Sequence, residues 1–272
     1  MRRFWILSAL LASLPATAGC RPASDGKKLV LTGASTIAPL AAEIGKRFEE
    51  RHPGVRVDVQ TGGSSRGVND ARNGLSDIGM VSRPMGAEEK DLHAFAIAND
   101  GVTIILHGSN PVADLTKGQV VGIYTREIAN WREVGGNDAP ITVVNKAEGR
   151  STLELFCQYF GLKNSQIKPH SVIGDNEQGI KQVAGNPDAI GYVSIGTAEY
   201  DAAHGSPIKL LPVGGVVASS ANVADGKFPL SRPLNLVTKS PPEGLAKEFI
   251  DFARSAEVHD LVRGQSFVPL DK

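Results

Sequence analysis

A chain of 272 residues, 41% hydrophobic and 21% charged, is long enough to bury one large core or two smaller ones and has the composition of a globular protein. Its 29 basic residues balance 29 acidic ones, which gives no footing to a nucleic-acid or membrane-surface partner. The histidines are scattered, with no HxxxH or CxxC spacing, so neither a metal site nor a cofactor is expected.

Residues 1–19 read as a signal peptide. Arg2-Arg3 form a basic start, Phe4 to Leu14 an apolar stretch, and Pro15 to Cys20 a small-residue cleavage zone. The apolar stretch is too short to span a bilayer comfortably, so the chain is expected to act in the periplasm or otherwise outside the cytoplasm. Two cleavages stay open. Ala16-Thr17-Ala18 fits an A-x-A site, whereas Thr17-Ala18-Gly19-Cys20 resembles a bacterial lipobox with Thr17 in the usual leucine position, which would leave Cys20 lipidated. Loss of Arg2 and Arg3 leaves 27 basic against 29 acidic residues. Cys157 is the other cysteine, so no disulfide framework exists unless an unlipidated Cys20 is retained; it reads as a small hydrophobe in a helix.

Leu29-Val30-Leu31 predict a short buried strand that ends at Thr32-Gly33. Leu40, Ile44 and Phe48 recur on one helical face, which stops at Pro53-Gly54. Val55, Val57 and Val59 alternate with polar residues as in a half-buried strand, and a short helix follows through Val68, Ala71 and Leu75. Ile78 to Val81 predict a strand, Glu88 to Phe95 a helix, and Val102 to Leu106 a buried strand. After Asn110-Pro111 come a helix over about 116–124, a loop at Trp131 and a strand over 141–144. A helix carrying Leu153, Phe156 and Phe160 follows, then another through Ile180 and Val183. Strands over 189–193, 208–213 and 234–238 lead to a closing helix with Leu245, Phe249 and Phe252. Strands alternate with helices, so the class is α/β with mostly parallel sheets, and the length favours two domains of similar size.

Four strand-to-loop junctions share one chemistry: Gly33-Ala34-Ser35-Thr36, Gly62-Gly63-Ser64-Ser65, Val81-Ser82-Arg83 and Gly149-Arg150-Ser151-Thr152. In parallel α/β sheets such carboxyl ends of strands line the ligand crevice. Helix amino termini present unpaired N–H groups, hydroxyls add donors, and small residues let the backbone come close, so together they suit an anion. Each junction also has an ordinary reading. Ser35 or Thr36 can be a helix N-cap, Gly62-Gly63-Ser64 a turn, Arg83 a solvated charge, and Lys146 and Glu148 exposed. The repetition of hydroxyl-rich starts after several strands, two of them beside an arginine, favours the anion.

GASTIAPL, QTGGSSRG, LSDIGMVSRPM, ANDGVTIIL, NPVADLT, IANWREVGG, EGRSTLELF, NPDAIGYVSIG and FPLSRPLNL occur in this order from about Leu29 to Leu270. With them the chain resembles the periplasmic phosphate-binding proteins of phosphate ABC transporters. The resemblance implies a two-lobed periplasmic-binding-protein fold of type II, each lobe a mostly parallel sheet flanked by helices. Lobe 1 would be residues 28–105 plus 234–272 and lobe 2 residues 106–233, closing on the ligand through crossover segments. By position it implies phosphate contacts from Ser35, Thr36, Ser64, Ser65, Ser82, Arg83, Lys146, Arg150, Ser151 and Thr152. Ser82 stands where some members carry an aspartate. In the second lobe the family commonly reads Arg-x-x-Gly-Ser-Gly-Thr, whereas this chain has Lys146-Ala147-Glu148-Gly149-Arg150-Ser151-Thr152. Lysine cannot make a planar two-point contact, so Arg150 is expected to supply the fork.

The expectation is a monomeric, non-enzymatic receptor that captures inorganic phosphate and delivers it to an ABC-type permease, touching the membrane only through a lipid on Cys20 if one is attached. A receptor for sulfate, molybdate or a phosphonate is one alternative. A serine-dependent phosphohydrolase is another, but it would need a histidine or carboxylate base, and the four loops offer only Glu148.

Overall fold

Residues 27–270 are described by a computed structural model; the expected signal peptide and Cys20 lie outside them. In chain order the elements begin with β1 (Lys27–Gly33), α1 (Ala38–Arg51), β2 (Val55–Thr61), α2 (Ser64–Asn73), β3 (Ile78–Val81) and β4 (His93–His107). They continue with α3 (Lys117–Thr125), β5 (Thr142–Lys146), α4 (Ser151–Phe160), β6 (Ser171–Ile173), α5 (Asn176–Ala184), β7 (Ala189–Ser194) and α6 (Ile195–Ala203). The last are β8 (Ile208–Leu210), α7 (Ser220–Ala224), β9 (Ser231–Thr238), α8 (Gly244–Ala253), α9 (His259–Gly264) and β10 (Val268–Pro269). No helix among the described residues is long and apolar enough to cross a membrane.

Hydrogen bonding runs through one continuous path of strands, β2-β1-β3-β9-β4-β7-β5-β6, with β8 and β10 also paired to β4. The two flanks are parallel, as β1 with β2 and β3, and β5 with β6 and β7. The middle is antiparallel, because β9 pairs with both β3 and β4, and β4 pairs with β7. The sheet is therefore mixed, not mostly parallel: each flank is built from βα units, but the connection between flanks is made by strands that run against them.

The buried side chains divide in two. Leu29, Leu31, Ile44, Phe48, Ile78, Leu236, Phe249 and Phe267 close one core. Val102, Ile104, Tyr124, Trp131, Phe156 and Tyr192 form another, continued by Ile105, Val144, Ile180 and Val193 on the opposite side of the same strands. The long strand β4 serves both. Ile97 and Ala98 face the first core, whereas Val102 and Ile104 face the second, so the change of core falls at Asn99 to Gly101. At Gly101 a Cβ would lie 2.6 Å from Ile195 Cδ1, so any larger residue there would make that buried isoleucine shift.

Two expected elements differ in kind, and the strand expected over 208–213 stops at Leu210. Residues 88–95 form a 3-10 turn over Ala87–Glu89 and then enter β4, because pairing of His93, Ala94 and Phe95 with β9 overrides the helix propensity of the charged run. Leu75 is not on a helical face: α2 ends at Asn73, Gly74 takes a left-handed conformation, and Leu75 is 71% exposed. Cys157 is half-buried on α4 against the second core.

The helix α2 lies unusually close to the sheet through Gly67. A Cβ there would stand 2.6 Å from the Met80 carbonyl oxygen and 2.9 Å from that of Thr32. Alanine normally stabilises a helix interior by about 1 kcal/mol over glycine. Here the backbone clash reverses the sign, and Gly67→Ala is expected to destabilise by about 1–3 kcal/mol, read as a lower urea midpoint; an equal or higher midpoint would contradict this packing.

Candidate anion-binding site

Helix starts near the crossover are unlike those elsewhere. α3, α5, α6 and α7 open on Thr116, Asp175, Ser194 and Ser219, and each of these side chains accepts a hydrogen bond from the helix backbone. α1, α2 and α4 open on Ile37, Gly63 and Arg150 with no side-chain cap, although Ala38, Ser64 and Ser151 are buried. α8 and α9 are also uncapped, but α8 begins at exposed residues that water can reach and α9 continues a 3-10 turn over Ala256–Val258. Ser35 and Thr36 are therefore not the caps of α1. Ser64 of α2 and Ser151 and Thr152 of α4 keep amides with no backbone partner among the described residues, whereas at α1 the Ile37 and Ala38 amides donate to the Ala34 carbonyl; all three starts carry partial positive charge.

At their meeting point is Arg232, on β9 and only 1% exposed. Its direct partner in the register is Asp100 on β4. Asp100 Oδ2 accepts from Nη2 at 2.8 Å and from Nε at 3.0 Å, while Oδ1 accepts from the Gly196 amide at 3.1 Å. The guanidinium then reaches both cores. Nη2 donates to Thr36 Oγ1 at 3.3 Å, and Nη1 donates to Thr152 Oγ1 at 3.1 Å, the Ser82 carbonyl at 3.3 Å and Ser82 Oγ at 3.4 Å. Asn176 makes a second bridge, donating from Nδ2 to Thr36 Oγ1 at 3.2 Å and to Thr197 Oγ1 at 3.3 Å. Its Oδ1 accepts from Lys146 Nζ at 2.9 Å.

The direction of these bonds decides what the site can hold. A hydroxyl has two lone pairs and one proton. Thr36 Oγ1 accepts from both Arg232 and Asn176, so both lone pairs are engaged and its proton must be donated. Thr152 and Ser82 likewise accept from Arg232 and keep a proton to give. Ser151 Oγ is buried, with no hydrogen-bond partner among the described residues, at the uncapped start of α4. Lys146 is 3% exposed, and Asn176 is the single side-chain acceptor its three-donor ammonium has among the described residues. A buried set of outward donors around one arginine suits an oxyanion and offers little to a cation.

The expected residues do not all join this group. Thr36, Ser82, Lys146, Ser151 and Thr152 do. Ser64 stands behind it, its Oγ accepting from the Ser82 amide at 3.1 Å. Ser35 is half-buried in the turn before α1, with no side-chain hydrogen bond to the group among the described residues. Ser65 turns to Glu154, Oγ to Oε1 at 3.4 Å, and its amide donates to the Gly149 carbonyl at 3.2 Å. Arg83 turns away from Arg232 altogether: it forks onto Glu89 with two contacts of 2.7 Å and touches Glu154 at 2.6 Å. Arg83 lies in a bend just past β3, and its side chain leaves toward Glu89 while that of Ser82 meets Arg232. Arg150 lies along Gly63 and Gly174, half-buried, with its Nε buried and unpartnered among the described residues. The fork that spans the halves is Arg232. Sequence reasoning assigned no role to Arg232, Asp100 or Asn176. The signal available was an aspartate and an arginine each set in an apolar strand, a pattern that demands a buried partner.

The sequence model of the PBP superfamily domain matches residues 21–257. Among curated proteins, the phosphate-binding protein PstS of Bacillus subtilis is 29% identical over 248 residues, covering 89% of this chain and 80% of its own length. Among solved structures, a chain from Clostridium perfringens assigned as a phosphate ABC transporter substrate-binding protein, with bound phosphate, is 34% identical. It superimposes with a TM-score of 0.82, covering 90% of this chain and 100% of that one. An ABC-type phosphate transport receptor from Vibrio cholerae is 30% identical, with a TM-score of 0.73 over 90% of this chain and 100% of that one.

Burial pushes the Lys146 ammonium down to about 7, helped by the Arg232 and Arg150 charges and opposed by Asp175. Above about 7 the folded, ligand-free chain has released this proton, while the unfolded chain keeps it up to the ordinary lysine value near 10.4. The unfolded state then binds more protons, so this group makes stability rise with pH across that window. Wild type should gain melting temperature over Lys146→Met between about pH 7 and about pH 9. Saturating anion, which holds the proton on Lys146, should flatten the gain; a difference independent of pH would contradict the buried ammonium.

Proposed function

The chain belongs to the PBP superfamily, and on that premise we propose that it is an extracytoplasmic receptor that encloses inorganic phosphate between two lobes and delivers it to an ABC-type permease. The observation that carries this reading is the Arg232 cluster. One buried guanidinium donates to Thr36 and Ser82 from the first core and to Thr152 from the second, and leaves their hydroxyl protons for an oxyanion. The phosphate named for the bound and receptor relatives supports the identity of that anion.

The lobes are read as residues 28–105 plus 234–272 and residues 106–233. The division of the cores favours slightly earlier crossings, near 99–101 and 231–233. Phosphate would draw the lobes together because neither offers the whole donor set: Thr36 and Ser82 come from one, Lys146, Ser151 and Thr152 from the other, and Arg232 from the crossover. Lys146 and Arg150 supply charge from the second lobe, in support of Arg232. Export by residues 1–19, with cleavage after Ala18 or a lipid on Cys20, fits a site of action outside the cytoplasmic membrane. The reading asks for no bond-making step, and the carboxylate nearest the hydroxyls, Asp100, has both oxygens engaged.

Calorimetric titration of stripped protein with phosphate, sulfate and molybdate tests the assignment. Phosphate is expected to bind most tightly; tight sulfate binding without phosphate binding would transfer the reading to another oxyanion. Arg232→Lys keeps the charge but loses the fork, and should weaken phosphate by about ten- to a hundredfold. Binding as tight as wild type in this variant would remove Arg232 from the site.

A further inference from the structure

The two halves also meet outside the buried group, and that contact is made of charges. Arg83, on the loop after β3, is fixed to its own half by Glu89, which is 4% exposed and also accepts the Gly86 amide at 2.7 Å. The paired guanidinium holds the Glu89 carboxyl below its usual range. The free edge of Arg83 faces the other half, with Nε 2.6 Å from Glu154 Oε2 on α4. The approach is off the N–H axis, so the contact is ionic rather than a linear hydrogen bond. The second oxygen of Glu154 accepts from Ser65 Oγ, and beside it the Ser65 amide bonds the Gly149 carbonyl. Gly63 completes the seam: a Cβ there would lie 2.5 Å from the Gly149 oxygen.

Glu154 stands in the first turn of α4, the helix whose start presents Ser151 and Thr152 to the anion. A carboxylate there stabilises the helix but repels an anion at the same terminus. That cost is offset if the carboxylate holds the halves closed. We propose that Glu154 is a positioning residue of the phosphate receptor, forming with Arg83 and Ser65 a latch that sets how long the bound anion stays. The proposal rests on the phosphate reading for its ligand, but on the seam alone for its mechanism. An open cleft of about 660 Å³, lined in part by Arg72, Met85, Glu88 and Gln158, lies against the latch. Glu154 is 39% exposed on that side, so water competes for the pair and the latch is one that opens readily.

The test is the release of radiolabelled inorganic phosphate into excess unlabelled phosphate, for wild type, Glu154→Gln and Glu154→Lys. Both variants leave the Arg83–Glu89 fork intact at a half-exposed position, and melting curves check that they fold. Release should be about three- to tenfold faster in Glu154→Gln and faster again in Glu154→Lys, where Arg83 is repelled, with association rates within about twofold of wild type. Unchanged release in both, or slower release because a negative charge has left the helix start, would overturn the latch. Wild type that binds no phosphate would overturn the functional reading instead. Solution scattering would then still decide the latch, a larger radius of gyration in Glu154→Lys than in wild type supporting it and equal radii overturning it.

Discussion

The ion pair between Asp100 and Arg232 is the constraint on which the rest depends. An unpaired guanidinium at this depth would be prohibitively desolvated, and an unpaired carboxylate would repel any anion brought near it. Placed opposite each other on β4 and β9, the two solve one another's problem and leave the arginine with a directed edge. The carboxylate occupies Nε and part of Nη2, so what remains points toward Thr36, Ser82 and Thr152. The pair thus converts a charge into an oriented donor array, which a solvated arginine on a loop could not provide.

Around that pair the polarity of every group runs the same way. Asn176 has its oxygen on Lys146 and its nitrogen on Thr36 and Thr197, so its amide is saturated and cannot rotate to offer an acceptor. The helix starts add partial positive charge without mobile side chains. Lys146 is held where its charge is only marginally stable without an anion, which keeps the site from carrying an excess of cation when it is empty of charge partners. Few formal charges are involved, and fixed dipoles do much of the work.

Most of the fold was legible from local pattern. The apolar runs at Leu29, Ile78, Val102 and Ala189 are buried strands, and the spacings at Leu40-Ile44-Phe48 and Leu153-Phe156-Phe160 are buried helix faces. What failed needed distant information. The run from Glu88 to Phe95 has a helical composition, and only its pairing with β9, far along the chain, makes its end a strand. The site divides similarly. Hydroxyls after strands can be found by inspection, because strand ends and helix starts announce themselves. Arg232 is harder to find: an arginine in an apolar strand signals a buried partner, but not which one, and that partner lies 132 positions away. Arg83 stands apart from Ser82 for the opposite reason: adjacency along the chain suggests adjacency in space, but at the bend after β3 the two side chains meet different partners, Glu89 and Arg232.

The route of β4 and β9 also governs when the molecule can fold. The first core begins at Leu29 yet includes Leu234, Leu236, Phe249 and Phe267, and β3 reaches β4 only through β9. Until the last third of the chain is available, β1, β2 and β3 form a fragment with an open edge and an incomplete core, whereas the second core is drawn almost wholly from residues 102–230. Contacts of such long sequence separation form late, because a large loop must close before they repay the entropy lost. A ribosome-bound chain would therefore hold its amino-terminal segments uncommitted until nearly all of it has emerged. Folding of the first core is tied to completion of the chain, and that of the second is not.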